Sequence, residues 1–150
     1  MNAKLLSLST AVPEHVLRQD DVIREASAIF AKRHIDFERL MPVFGNTGID
    51  TRYSVRPYDW FRGAQGWPER TAAFIEGATA LFKEAVTAAL AEAKVLARDV
   101  DTIVTVSSTG VATPSIEARA LHELGFRDDV KRVPVFGLGC AGGVSGLSLA

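Results

Sequence analysis

An α/β layered fold with parallel strand pairs is the architecture this sequence predicts. Two observations carry the prediction. Short β-type runs, Thr102 to Val106 and Lys131 to Phe136, alternate with stretches whose apolar residues recur at helical spacing. Each run also ends in a polar or glycine-rich turn before the next helical stretch. In open α/β sheets, sites form just beyond the carboxyl ends of the strands, so these two turns are expected to face one pocket.

The elements follow in order. Lys4 to Ser9 alternates loosely and predicts a first strand, closed by Pro13. Asp20 or Asp21 is expected to cap an amphipathic helix carrying Val22, Ile23, Ala26, Ile29 and Phe30 on its apolar side. A short helix around Phe37 to Phe44 leads into the turn chemistry of Gly45 to Gly48, and Ile49 to Val55 predicts a strand. Pro57 to Pro68 is expected to be an aromatic, glycine-containing loop. The longest helix is predicted over about Glu69 to Lys94, from the spacing of Phe74, Ala78, Leu81, Phe82, Ala85, Ala89 and Leu90. After the strand from Thr102 comes a polar loop, Ser107 to Thr113. Pro114 then suits the first turn of a helix through Leu124, stopped by Gly125. The last strand ends at Phe136, and a turn holding Cys140 opens the final helix.

Composition bounds the function. The 150 residues suffice for one core, and 47% hydrophobic with 23% charged is ordinary globular composition. A net charge of −1 with interspersed signs gives no broad electrostatic reason to bind nucleic acid or anionic lipid. A single cysteine excludes an internal disulfide and suits a reducing cytoplasm. Met1 to Thr10 is too short and too polar for a signal peptide, and no apolar run approaches a membrane span. The expectation is a soluble cytoplasmic protein without membrane insertion. Gly146 to Ala150 carries no cap or stop signal, so the sequence is expected to be the front part of a longer protein.

Cys140 is the most informative residue. It lies between a β-type stretch and the glycine-rich start of a helix, where unpaired N–H groups favour a thiolate. The small residues Gly139, Ala141, Gly142 and Gly143 are expected to leave room for a substrate. A lone cysteine is more often a small buried hydrophobe, and the flanking glycines shift the reading toward function. Three chemistries compete for the turn. Gly137-Leu-Gly139-Cys-Ala-Gly142 formally matches a dinucleotide-binding fingerprint, but it comes behind two earlier β/α units, and a thiol has no purpose against a pyrophosphate. A hydrolase elbow needs glycine two residues before the nucleophile, where Leu138 stands. Acyl transfer through a cysteine thioester fits, because a thioester stays electrophilic toward carbon nucleophiles.

Three segments then resemble a known family. Val104 to Pro114, Leu121 to Phe126 and Val130 to Gly143 are similar in order and spacing to the type III polyketide synthases, the chalcone and stilbene synthase family, in a bacterial form. The close match runs from about Asp99 to the end. A looser one, including Gly48 to Tyr53, reaches back to Met1. The shorter Cys140-Ala-Gly also fits the related ketoacyl-carrier-protein synthases of fatty-acid synthesis.

The resemblance implies a thiolase-like layered fold of two similar halves, normally a homodimer, with residues 1–150 forming part of the N-terminal half and the C-terminal half absent. It implies loading of a starter acyl group from acyl-CoA and extension with decarboxylating malonyl-CoA. Coenzyme A thioesters are then substrates, with no permanently bound cofactor and no metal. Cys140 matches the nucleophile, and Ser108 and Thr109 match positions lining the pocket. Thr113 matches the loop position that reaches into the partner's cavity in plant members, which often carry methionine there. The plant pattern also has one more residue between the cysteine and its Ala-Gly-Gly. The family's catalytic histidine and asparagine match no position among these 150 residues, so the chain alone is expected to be inactive. The reading from a different class is a non-catalytic fragment or binding module.

Other residues weigh less. His15, His34 and His122 carry no accompanying acid–base signal, and a surface or satisfied structural role is expected for them. Arg52, Arg56, Arg62 and Arg70 thicken the positive charge in one region, and Arg52 is the candidate for coenzyme A phosphate because its segment resembles the family. Solvated surface charge is the competing expectation for each arginine. Tyr58, Trp60, Phe61 and Trp67 either line a tunnel or anchor their loop to the body. Ser107 to Thr109 could equally cap backbone groups within their turn.

Overall fold

The computed structural model describes residues 3–30 and 37–150, and His34 lies outside them. The chain divides into two compact units, Val12–Gly66 and the combination of Met1–Ala11 with Trp67–Ala150.

In the unit Val12–Gly66, β1 (His15–Arg18) leads directly into α1 (Gln19–Phe30). A 3-10 turn (Phe37–Leu40), α2 (Met41–Asn46), β2 (Thr51–Ser54) and α3 (Tyr58–Arg62) follow. β1 and β2 pair antiparallel, with His15 opposite Ser54 and Arg18 opposite Thr51. The expected acidic cap is displaced: Asp20 and Asp21 lie inside the first turn of α1, where carboxylates face the positive end of the helix dipole. Gln19 starts the helix and is buried. Its backbone N–H donates to the Asp50 carbonyl at 2.9 Å and its side-chain amide to the Phe44 carbonyl at 2.9 Å. One glutamine thereby ties α1 to α2 and to the approach of β2.

The other unit holds α4 (Trp67–Ala93), a 3-10 turn (Ala97–Asp99), β3 (Thr102–Ser107), α5 (Ile116–Ala120), β4 (Lys131–Phe136) and α6 (Ala141–Leu149). α4 ends where Lys94 enters the left-handed region at φ 56° and Val95 N–H returns to the Leu90 carbonyl. β3 and β4 are parallel neighbours, with Thr102 opposite Lys131 and Ser107 opposite Phe136. The core gathers Ile103 from β3 with Leu121, Phe126 and Val130, and α4 closes it with Phe82, Val86 and Leu90.

Several expectations are corrected. Lys4 to Ser9 pairs with no strand among the described residues. Its alternation suits a strand, but a strand forms only against a hydrogen-bonding neighbour. The segment instead lies along α4, with Ser7 Oγ donating to the Ala89 carbonyl at 2.8 Å, and Leu8 is 77% exposed. The expected loop from Pro57 contains α3, and α4 begins at Trp67 rather than Glu69. The helix expected from Pro114 through Leu124 is regular only over Ile116–Ala120. Beyond it a turn closes with Phe126 N–H on the Leu121 carbonyl and with Gly125 at φ 77°.

Candidate active site: the cysteine turn

Parallel pairing brings the carboxyl ends of β3 and β4 side by side, and the turns that leave them are bonded together. Gly137 N–H donates to the Ser107 carbonyl at 3.1 Å, carrying the ladder one step past the strands. Two residues further, Gly139 N–H donates to Ser108 Oγ at 3.0 Å. Both glycines have positive φ, 81° at Gly137 and 54° at Gly139, a region that side-chain-bearing residues rarely enter. The chain can therefore bend back on both sides of Leu138 and start a helix immediately.

Cys140 is the residue that turn delivers. It occupies the N-cap of α6 with φ −62° and ψ −24°, and its thiol is exposed. The first helical bonds form around it, from Ala141 N–H to the Leu138 carbonyl at 3.2 Å and from Gly142 N–H to the Gly139 carbonyl at 3.0 Å. Space beside the thiol comes from only some of the glycines. A Cβ on Gly139 or Gly143 would meet nothing within 4 Å. Gly142 is buried, and a Cβ there would sit 2.6 Å from Val106 Cγ1; one on Gly146 would sit 2.7 Å from Cγ2 of the same valine. These two glycines, one turn apart on α6, form a groove that seats Val106 of β3. The expectation that Gly142 leaves room for substrate is thus corrected: its space is filled by the sheet.

The loop after β3 is ordered by its own hydroxyls. Ser107 Oγ donates to the Gly110 carbonyl at 3.1 Å and receives the Thr109 and Gly110 N–H groups at 3.3 and 3.4 Å. Ser107 is accordingly a turn residue. Gly110 presses on α4, where an added Cβ would lie 2.6 Å from the Phe74 ring. A mainly apolar cleft of about 550 Å³ opens between this loop, α4, α5 and the sheet. Ser108 and Thr109 are among its walls, while Thr113 and Cys140 are not. The two turns therefore meet through the Ser108–Gly139 bond rather than as opposite walls of that cleft. Thr113 is exposed, and its carbonyl accepts Arg119 Nη2 at 3.1 Å.

Arg52 belongs to the unit Val12–Gly66 and is half-buried, with its Nε donating to Gln19 Oε1 at 3.0 Å. Arg62 is held by Glu25 and Asp59, at 2.5 and 2.7 Å. The hydrogen bond from Arg62, reinforced by its charge, holds the Glu25 carboxyl below its ordinary value, and the same pair raises Arg62. Burial pushes the Tyr58 phenol up, and its hydroxyl donates to the Arg18 carbonyl at 3.3 Å. Trp60 and Phe61 meet edge to face with centroids 5.0 Å apart. Tyr58 thus anchors its segment to the end of β1. His122 lies 3.5 Å from Asp128 and is 82% exposed in its side chain, a surface position. Among the described residues, no group of three or more His, Cys, Asp and Glu side chains is gathered as a metal site. No described helix is long and apolar enough to cross a membrane.

Sequence reasoning passed over Glu117 and Arg119. Glu117 is completely buried, accepting from Thr105 Oγ1 at 2.8 Å and from Ser115 Oγ at 2.5 Å. A signal for it existed: Glu117, Ala120, Leu121 and Leu124 share one helical face by spacing, and the acid stands on the apolar side.

Known proteins are similar to this chain in sequence and fold. Residues 8–150 match the family described as FAE1/Type III polyketide synthase-like protein. The 1,3,6,8-tetrahydroxynaphthalene synthase of Streptomyces peucetius subsp. caesius is 38% identical over 141 residues, covering 94% of this chain and 37% of that protein. The crystal structure of 1,3,6,8-tetrahydroxynaphthalene synthase from Streptomyces coelicolor A3(2) superposes with a TM-score of 0.84 at 29% identity, covering 95% of this chain and 42% of that one. The structure of CsyB complexed with CoA-SH gives 0.78 at 28% identity, covering 95% and 39%. The chain thus spans about two fifths of the length of these relatives and corresponds to their N-terminal part, with their thiolase-like α/β fold. By the match across residues 8–150 and the shared fold, this chain belongs to the FAE1/type III polyketide synthase-like family.

Proposed function

We propose that Cys140 is the acyl-carrying nucleophile of a type III polyketide synthase that condenses an acyl-CoA starter with malonyl-CoA. The observation that carries the reading is the exposed thiol at the N-cap of α6, beyond the carboxyl ends of two adjacent parallel strands. Family membership and the likeness to CsyB, solved with CoA-SH, support coenzyme A thioesters as the substrates.

The chemistry balances on that sulfur. The Cys140 thiolate attacks the thioester carbonyl of the starter, and the tetrahedral intermediate expels the coenzyme A thiolate. An acyl group now sits on Cys140. Malonyl-CoA loses carbon dioxide, and the resulting carbanion attacks the acyl carbonyl, forming a carbon–carbon bond and releasing the Cys140 thiolate. The product is a β-ketoacyl-CoA two carbons longer, ready for another round. Developing negative charge on both carbonyl oxygens calls for fixed hydrogen-bond donors. The histidine and asparagine that the resemblance assigns to this task match no position in the 150 residues. Ser108 and Thr109 are proposed to border the acyl pocket, Thr113 to face the partner's cavity in a homodimer, and Arg52 to meet coenzyme A phosphate. The cytoplasm, where both thioesters occur, is the proposed location.

Incubating the full-length protein with acyl-CoA starters and malonyl-CoA, and separating the products, tests this reading. Extended polyketide that vanishes in Cys140→Ala supports it. Loading from an acyl-carrier protein in place of coenzyme A would move the assignment to the ketoacyl-carrier-protein synthases.

A further inference from the structure

We propose that Glu117 is a positioning residue that holds the Ser108 loop, and through Ser108 the Cys140 turn, in register. Its carboxylate is fully buried and bonded to two hydroxyls, Thr105 Oγ1 at 2.8 Å and Ser115 Oγ at 2.5 Å. Thr105 lies on β3 shortly before the loop, and Ser115 lies just after the loop ends. One carboxylate thereby bridges the two ends of the connection between β3 and α5.

The same short helix grips the end of the loop a second time. Arg119 Nε donates to the Pro114 carbonyl at 2.9 Å and Nη2 to the Thr113 carbonyl at 3.1 Å. Midway, Gly110 is pressed against Phe74, and the Ser107 hydroxyl closes the first turn. A loop fixed at both ends and in the middle presents Ser108 at a defined place, and Ser108 Oγ receives the Gly139 N–H at 3.0 Å. Cys140 is the next residue.

Desolvating a carboxylate is costly unless its lone pairs are filled, and an apolar side chain on this helix face would carry no such cost. The acid contributes two directional bonds that an apolar side chain cannot make. That contribution is positional, since the Glu117 carboxylate is buried against Thr105 and Ser115 while the thiol is exposed.

The inference rests on Cys140 being the reacting group, and alkylation of the thiol separates the two claims, because it reports how the sulfur is presented whether or not acyl transfer occurs. The experiment follows Cys140 alkylation by iodoacetamide with mass spectrometry at fixed pH, alongside circular dichroism and melting, in the purified protein. In Glu117→Ala the rate is expected to fall roughly threefold to tenfold, the scale of losing one or two buried hydrogen bonds. Glu117→Gln, whose amide can still bond both hydroxyls, is expected to recover most of it. Should Glu117→Ala fail to fold, Ser115→Ala, which keeps the Thr105 bond to the carboxylate and frees only the far end of the loop, decides the question, with a fall in the same direction expected. A folded variant whose alkylation rate is unchanged or raised, whatever its melting temperature, overturns the proposal.

Discussion

Ser108 and Gly139 join the two turns of the site: the Gly139 amide donates to the Ser108 hydroxyl at 3.0 Å, so the residue preceding Cys140 is fixed to the loop that leaves β3. Ser108 has thereby a second task beside that of a pocket wall. Ser108→Ala leaves that amide without its partner and is expected to slow acyl loading of Cys140 by roughly threefold to tenfold. Ser108→Thr keeps the hydroxyl and should load at close to the original rate. Stopped-time intact-mass measurement of the acyl adduct distinguishes them, and equal rates in the alanine and threonine variants would contradict the assignment.

The contact between α6 and β3 makes a prediction about stability. Gly142 and Gly146 leave no space for a methyl group, since Val106 methyls would lie 2.6 and 2.7 Å from the added carbons. Valine is stiff about its first side-chain torsion and cannot swing aside easily. Gly142→Ala is expected to destabilise the fold by about 1–3 kcal/mol, the usual range for overpacking. Urea denaturation of Gly142→Ala in a Val106→Ala background should recover most of that loss. Additive losses would show that the glycine is needed for another reason.

Backbone conformation predicts a different pattern at Gly139. Its φ of 54° is left-handed, and a Cβ would meet nothing within 4 Å, so substitution there is opposed by backbone strain alone. Gly139→Ala is expected to cost about 1–2 kcal/mol, and Gly139→Asn less, because asparagine tolerates this region better. Denaturation midpoints of the two variants check the order, and an alanine variant at least as stable as the asparagine one would refute it.

A pH dependence follows from Glu25 and Arg62. Arg62 holds the Glu25 carboxyl below its ordinary value, chiefly through their hydrogen bond, with burial acting in the opposite direction. A carboxyl depressed in the folded state stabilises the fold fully above its unfolded value, and that contribution is lost as pH falls through the lowered folded value. Nuclear magnetic resonance titration should place the Glu25 midpoint below that of an ordinary glutamate. Arg62→Ala is expected to return it upward. A midpoint indifferent to Arg62 would remove the ion pair from the account.

Much of the site was legible because its residues are locally constrained. β4 has the bounds its sequence predicts, and β3 extends the predicted Thr102 to Val106 by one residue, as short β-type runs between turns leave little choice of boundary. The glycines around Cys140 were visible too, but their separate tasks were not. Gly137 and Gly139 serve backbone conformation, whereas Gly142 serves close packing of helix on strand. That division also accounts for the formal match to a dinucleotide fingerprint, since a strand-to-helix turn with a close-packed helix needs glycines at similar spacings whatever it binds. Less was legible where tertiary contact decides. Leu5, Leu6 and Leu8 suggest a strand, yet pairing depends on a distant neighbour that local sequence does not specify. His15–Arg18 forms a strand because Thr51–Ser54 lies beside it, a relation invisible in four residues. The apolar helix face carrying Glu117 signals its burial, but only the fold places Thr105 and Ser115 around it.

The central claim is that Cys140 carries the acyl group, and peptide-mapped intact mass spectrometry of the full-length protein after exposure to acyl-CoA tests it most directly. The account predicts a single acyl mass increment, located on the peptide containing Cys140 and discharged by malonyl-CoA. In Cys140→Ala the increment should be absent. An adduct retained in that variant, or mapped to another residue, would contradict it.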